Sequence, residues 1–230
     1  MPFDPAKAEL LRSLARLVRG LSALFWGLPL ALVIYVQTAW TNWLDLLDGM
    51  AIFPALLVTG LIFFGLMQLR HFQKQERIWI RALDRAQILV FINFGLVPFL
   101  YWWQKAPHVT QFAAAVGILA FSSILFLFNL NYVLQRLTAM LPDEALRMET
   151  RLFTSFNRAL LLTIPFLVLI YVSLLNVTRL PGPVIAFLDA IAPFSVWLIL
   201  FLVMMPMAMT MALIWKIKEV IFNSVFDGDR

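Results

Sequence analysis

Six long stretches of the 230-residue chain contain no aspartate, glutamate, lysine, arginine or histidine. They cover residues 20–44, 49–69, 86–104, 109–135, 159–178 and 190–215. A helix needs about 20 apolar residues to cross the roughly 30 Å hydrocarbon layer of a membrane, and every stretch is close to that length or longer. Backbone polar groups must be paired in lipid, and barrel strands are shorter and alternate in polarity, so the stretches predict helices. We therefore expect an all-α integral membrane protein, with residues 1–230 forming a single membrane domain of six transmembrane helices.

The charged residues are distributed unevenly among the loops between these stretches. Of the 18 lysines and arginines, only Lys105 and Arg179 lie in the loops that connect stretch one to two, three to four, or five to six. Loops rich in lysine and arginine stay in the cytoplasm, so the pattern predicts that both termini are cytoplasmic. We expect a prokaryotic cytoplasmic (inner) membrane, although the same charge bias fits other membranes.

A pattern of two arginines, four residues apart and followed by a proline, recurs three times at intervals of 66 to 69 residues. The copies are Arg12, Arg16 and Pro29; Arg81, Arg85 and Pro98; and Arg147, Arg151 and Pro165. This spacing predicts three tandem two-helix hairpin repeats, at about 4–75, 76–141 and 142–223, each beginning with a short basic amphipathic cytoplasmic segment. Repeats that enter from the same side are related by an axis along the membrane normal. The alternative is chance similarity between apolar sequences.

Arginines flank the predicted spans on the cytoplasmic side in three groups, which we call the arginine combs. They are Arg12, Arg16 and Arg19; Arg77, Arg81 and Arg85; and Arg147, Arg151 and Arg158. Such residues reach to lipid phosphates, which contributes about 1 kcal/mol for each basic residue near an anionic surface. We expect a bilayer containing anionic lipids as a partner of the combs, and a specific lipid pocket or an acidic protein partner as the alternative.

Polar but uncharged residues lie within the predicted spans, whereas no charged residue lies near the middle of any span. Ionisable groups inside the bundle are typical of proton relays and coupled transporters, so this pattern disfavours a proton-coupled transporter. The residues that could hydrogen-bond between helices, or line a pore, are Asn93, Ser122, Ser123, Asn129 and Asn131. Interhelical hydrogen bonding is the preferred interpretation.

Tryptophans give a second indication of depth, because indole rings favour the membrane interface. Trp79 lies beside a basic flank and is predicted at the inner interface. Trp26 and Trp197 lie farther inside their stretches, so we expect them to pack between helices.

Several chemistries lack the residues they need. The chain has no cysteine, and His71 and His108 are predicted on opposite sides of the membrane, which excludes a bis-histidine haem within one chain. Met204, Met207 and Met211 share a helical face, but packing around Pro206 explains them better than copper binding. Hydrolase and phosphate-loop motifs are missing. We therefore predict no enzyme activity, no cofactor and no metal, and, because the basic residues are interleaved with acids along the membrane edges, no nucleic acid.

Three functional hypotheses follow. The preferred one is a non-catalytic membrane subunit or scaffold that packs against other membrane proteins or against itself as a homo-oligomer, which suits the 21 phenylalanines. The second is an oligomeric channel or passive transporter with a path along the repeat or oligomer axis. The third is a protein that handles anionic lipids through the arginine combs.

Overall fold

The chain folds entirely into helices in the part that the computed structural model describes, which is residues 5–41, 50–73, 75–141, 143–175 and 192–226 with the single positions 182, 186 and 190. No β-strand occurs in these ranges. The α-helices are α1 (Pro5–Trp40), α2 (Phe53–Leu69), α3 (Arg77–Leu96), α4 (Pro98–Lys105), α5 (Thr110–Met140), α6 (Glu144–Leu175) and α7 (Ser195–Phe226). A 3₁₀ turn, Ala192–Phe194, precedes α7. The predicted all-helical class is confirmed.

Five helical segments in these ranges are long and apolar enough to cross a membrane. They are Leu11–Trp40, Arg77–Lys105, Thr110–Met140, Glu144–Tyr171 and Leu200–Asn223. The segment Arg77–Lys105 joins α3 and α4 across a turn at Val97, where the missing N–H of Pro98 interrupts the helical hydrogen bonding. The remaining stretch forms the shorter apolar helix α2, of 17 residues. The orientation of the chain, the location of its termini, the sixth crossing and the threefold repeat stay predictions.

The basic segments predicted to precede each hairpin are not separate surface helices. They form the first turns of α1, α3 and α6, each of which continues without a break into an apolar span. The physical reason is composition, because arginine, leucine and alanine are good helix formers and no proline separates the basic turns from the apolar ones.

The long helices pack as a closed ring. α1 lies against α2, α2 against α3, α3 against α5, α5 against α6, α6 against α7, and α7 returns to α1, while α5 also reaches across to α7. Leucines from these helices fill the interior and are completely buried, among them Leu21, Leu66, Leu83, Leu130 and Leu146. The ring thus places the cationic ends of α5 and α6 side by side.

α1 and α2 cross at very short range because glycines face each other. A Cβ atom placed on Gly20 would lie 2.7 Å from the carbonyl oxygen of Gly65 and 2.4 Å from Cδ1 of Leu69. A Cβ atom placed on Gly65 would lie 3.0 Å from the carbonyl oxygen of Gly20. Small residues allow such close backbone approach between helices in lipid, where packing drives association.

The three tryptophans are arranged differently from the prediction. Trp79 is fully buried, and its indole N–H donates a hydrogen bond of 3.0 Å to the carbonyl oxygen of Phe72 in the turn between α2 and α3. Trp26 and Trp197, predicted to pack between helices, are 62% and 69% exposed. Trp26 lies two residues after the buried Leu24, so its side chain emerges on the far side of α1. A buried turn carbonyl needs a donor, and Trp79 supplies it.

Candidate functional site

A cationic cavity lies between α5 and α6, close to the short connection that joins them. Its volume is about 320 Å³, and it is lined by Tyr132, Gln135, Arg136, Ala139, Arg147 and Arg151. The first four occupy positions i, i+3, i+4 and i+7 of α5, and the last two are four residues apart on α6, so each helix presents one face to the cavity. We call this site the α5–α6 basic cavity.

The end of α5 and the start of α6 are fixed to each other by polar contacts. Nη2 of Arg147 donates to the carbonyl oxygens of Ala139 and Leu141, at 3.2 and 3.3 Å. These lie at the C-terminal end of α5, where carbonyls have no partner within the helix. The carboxylate of Asp143 accepts a 2.9 Å hydrogen bond from the backbone N–H of Leu146 and so caps the start of α6. Arg147 therefore both lines the cavity and connects its two walls.

Aromatic rings and amides hold the other arginines. Nε of Arg136 donates to the hydroxyl of Tyr132 at 3.1 Å, and its guanidinium lies 5.2 Å from the centre of that ring. Arg158 lies about 10 Å farther along α6 than Arg151, at 1.5 Å per residue. Its Nη2 donates to Oε1 of Gln135 at 2.9 Å, and its guanidinium lies 5.4 Å from the Tyr132 ring centre. Arg158 thus supports two residues of the cavity wall from the side nearer the apolar part of the bundle.

The positive charge of this region is not neutralised by acidic residues of the described chain. The ion pairs of the described residues include Arg70 with Asp84, at 3.3 Å, and Lys216 with Glu149, and none of these four residues lines the cavity. No carboxylate among the described residues lines the α5–α6 basic cavity. The Nε atoms of Arg147 and Arg158 are buried and have no hydrogen-bond partner among the described residues. Guanidinium groups pair with carboxylate and phosphate through paired hydrogen bonds, so the lining arginines carry the donor groups that an anion would require.

The three arginine combs have different surroundings. Arg147 and Arg151 of the third comb line the cavity, and Arg158 of the same comb contacts its wall. The members of the first two combs are all exposed and lie outside the cavity: Arg12, Arg16, Arg19, Arg77, Arg81 and Arg85. Arg136 completes the site and is missing from the predicted set. Its only signal in the sequence is its position four residues after Tyr132, at the end of the fourth apolar stretch.

The polar residues that could bond between helices or line a pore lie in several different surroundings. Ser122 donates a hydrogen bond to Oδ1 of Asn93, which links α5 to α3. Ser123 and Asn93 line a second, mostly apolar cavity of about 90 Å³ in the centre of the ring. Asn129 donates to the carbonyl oxygen of Leu125 in its own helix. Asn93 and Ser122 are thus joined between α3 and α5, whereas the described side-chain hydrogen bond of Asn129 stays within α5.

Asn131 belongs to a separate buried group, which we call the polar cluster and which consists of Asn131, Asn157 and Thr210. Nδ2 of Asn157 lies 3.0 Å from Oδ1 of Asn131 and 3.0 Å from Oγ1 of Thr210. The same nitrogen lies 3.1 Å from the carbonyl oxygen of Pro206. The cluster therefore joins α5, α6 and α7 through amide and hydroxyl groups. Asn157 was not singled out from the sequence, because it precedes the apolar stretch that begins after Arg158.

Comparison of the chain with protein-family models, with curated proteins and with solved structures finds no match. Function must therefore be argued from the geometry of the chain, and the α5–α6 basic cavity is the feature with the most defined chemistry.

Proposed function

We propose that this chain is a polytopic membrane protein that binds the anionic headgroup of a lipid in the α5–α6 basic cavity. The observation that carries the proposal is a cavity of about 320 Å³ lined by three arginines and by no carboxylate. Basic pockets between transmembrane helices bind anionic lipid headgroups on the cytoplasmic side. The third hypothesis from the sequence is thus better supported by geometry than the scaffold that the sequence favoured.

The surroundings of the cavity favour a lipid over a soluble anion. Both helices that form it continue away from their connection as apolar spans, and both expose large side chains there. Phe121 and Leu125 on α5, and Leu162 and Phe166 on α6, are exposed. A lipid whose headgroup phosphate lies in the cavity would therefore have its acyl chains beside apolar protein surface. The volume lies at the lower end of the roughly 300 to 1,000 Å³ of ligand pockets, which suits a headgroup.

The proposal is tested by removing cavity charges while keeping the protein otherwise intact. The variant R136Q/R151Q, purified in mild detergent after incubation with phosphatidylglycerol and phosphatidylcholine, is examined by native mass spectrometry for retained lipid. We expect retention of the anionic lipid to fall by about tenfold or more, because hydrogen bonds to charged groups contribute about 1.5–3 kcal/mol each.

The matched control is R81Q/R85Q, which removes the same charge from exposed positions on α3. We expect it to change retention by less than about twofold, since exposed arginines interact with a screened lipid surface. An equal loss in the two double variants would show that lipid binding depends on overall charge, and the proposed site would be wrong.

A scaffold remains the second candidate function, because one surface is unusually apolar. Residues 166–170 of α6 are five consecutive exposed side chains, which is more than a full helical turn, so the described chain does not cover α6 on any side there. Phe194, Trp197 and Phe201 near the start of α7 are also exposed. Native mass spectrometry of the assembly extracted from its membrane tests this candidate, since a scaffold is expected to retain a protein partner or a second copy of itself.

A further inference from the structure

The arginines of the α5–α6 basic cavity supply more positive charge than a singly charged headgroup would neutralise. Three guanidinium groups line the cavity. Arg158 supplies a fourth, which does not line the cavity but hydrogen-bonds to its wall residue Gln135. We infer that the cavity selects a phosphomonoester headgroup over a phosphodiester. This inference rests on the proposed function and specifies the chemical class of its ligand.

The number of available donors matches a terminal phosphate. Arg147 is fixed by its bonds to the carbonyl oxygens of Ala139 and Leu141, and Arg136 is fixed through Nε by the hydroxyl of Tyr132. The terminal nitrogens of Arg136 are not engaged by the described residues, and Arg151 lines the cavity while remaining exposed. A phosphomonoester offers three unsubstituted oxygens, so each lining arginine can bond a different one.

A phosphodiester fits this arrangement less well. It has one negative charge and two unsubstituted oxygens, so two of the three lining arginines would have to share an oxygen and most of the cavity charge would stay uncompensated. Uncompensated charge is costly beside an apolar region, because like charges repel more strongly at low dielectric constant. A phosphomonoester carries about −1.5 to −2 at pH 7 and reduces that repulsion.

The experiment compares three ligands on the full chain in mild detergent, with retention measured by native mass spectrometry. The ligands are phosphatidate, a lipid phosphomonoester; phosphatidylglycerol, a lipid phosphodiester; and glycerol 3-phosphate, the soluble phosphomonoester. We expect phosphatidate to be retained at least about tenfold better than phosphatidylglycerol, given the energy of added charge-assisted hydrogen bonds. Glycerol 3-phosphate is expected not to displace phosphatidate at equal concentration, because it lacks acyl chains.

Two further measurements are specific to the paired hydrogen bonds and to the ligand charge. The variant R151K keeps the charge but loses the planar fork, so it is expected to retain phosphatidylglycerol while losing most of the preference for phosphatidate; the control R81K is expected to keep that preference. Raising the pH from 5 to 8 is expected to increase phosphatidate retention several-fold and to leave phosphatidylglycerol retention unchanged. The phosphomonoester has its second pKa near 6 and so gains negative charge over this range, whereas the phosphodiester keeps a single charge. The nearby acids Asp143 and Glu149 are engaged by the backbone of Leu146 and by Lys216.

The outcomes separate the inference from the proposed function. Equal retention of the two lipids, with both lost in R136Q/R151Q, would overturn the phosphomonoester inference and leave the proposed function intact. Retention of both lipids that is unchanged in R136Q/R151Q would overturn the proposed function, and the inference with it. Displacement of phosphatidate by glycerol 3-phosphate at equal concentration would support phosphomonoester selection but would overturn the lipid as its source.

Discussion

The α1–α2 pair and the α5–α6–α7 group differ in the contacts that dominate their association, although the hydroxyls of Tyr35 and Thr59 also hydrogen-bond between α1 and α2. In the first, Gly20 and Gly65 bring two backbones so close that a single Cβ atom would clash with a carbonyl oxygen. In the second, Asn131, Asn157 and Thr210 connect three helices through buried hydrogen bonds. Helices in lipid gain no hydrophobic driving force from meeting each other, so close packing and interhelical hydrogen bonds are the two available means. The α5–α6–α7 group, which the polar cluster connects, also contains the basic cavity.

The largest effect is expected from filling the contact between α1 and α2. The substitution Gly20→Leu forces a side chain against the carbonyl oxygen of Gly65, so we expect a loss of about 3 kcal/mol or more in the free energy of unfolding. Thermal or denaturant unfolding in detergent measures this loss. Gly60→Leu in α2 is the control, because a Cβ atom on Gly60 has no neighbour within 4 Å. Equal destabilisation by both substitutions would contradict the close contact between the helices.

A smaller effect is expected from removing the polar cluster. The substitution Asn157→Leu deletes the donor that bridges α5 and α7 and leaves buried acceptors without it, which is expected to cost about 1–2 kcal/mol. The control is Asn129→Leu on α5, whose amide donates only to its own helix among the described contacts and is expected to change stability by less than about 0.5 kcal/mol. The free energies of unfolding of the two variants are compared in the same detergent. A loss for Asn129→Leu as large as that for Asn157→Leu would contradict a stabilising role of the polar cluster.

The smallest effect tests whether the α1–α2–α3 region also depends on a polar contact. Trp79→Phe keeps most of the buried ring but removes the donor to the carbonyl oxygen of Phe72, with an expected loss of about 1 kcal/mol. Trp26→Phe replaces an exposed tryptophan and is expected to have little effect. If the unfolding midpoints of the two variants coincide, the bond in the α2–α3 turn contributes nothing measurable.

The helices were predictable from the sequence because charge-free stretches of this length have few other solutions in a membrane protein. The turn at Val97 was not predicted, although Pro98 is its cause; the proline was noted only as part of the repeat. The continuity of α1, α3 and α6 through their basic turns was also missed, because a basic amphipathic segment has the same composition whether it lies on the surface or extends a span.

The candidate site was predictable only in part, for a geometric reason. Arg147, Arg151 and Arg158 were identified by their spacing along one helix. Arg136 lies on the other side of the α5–α6 connection, and its place in the cavity depends on the rotation of α5 about its axis, which residue spacing in α6 does not specify. The same holds for Asn157, whose role depends on the approach of Thr210 from a helix more than 50 positions away.

The length of α2 has a consequence for the membrane around it. Its 17 residues extend about 26 Å, which is several ångströms less than the roughly 30 Å of a typical hydrocarbon core. Phe53, Leu57, Phe64 and Met67 are exposed along this helix, so lipid tails are its expected neighbours. The bilayer beside α2 is therefore expected to be locally thinner, and short-chain lipids are expected to be enriched at this edge of the protein.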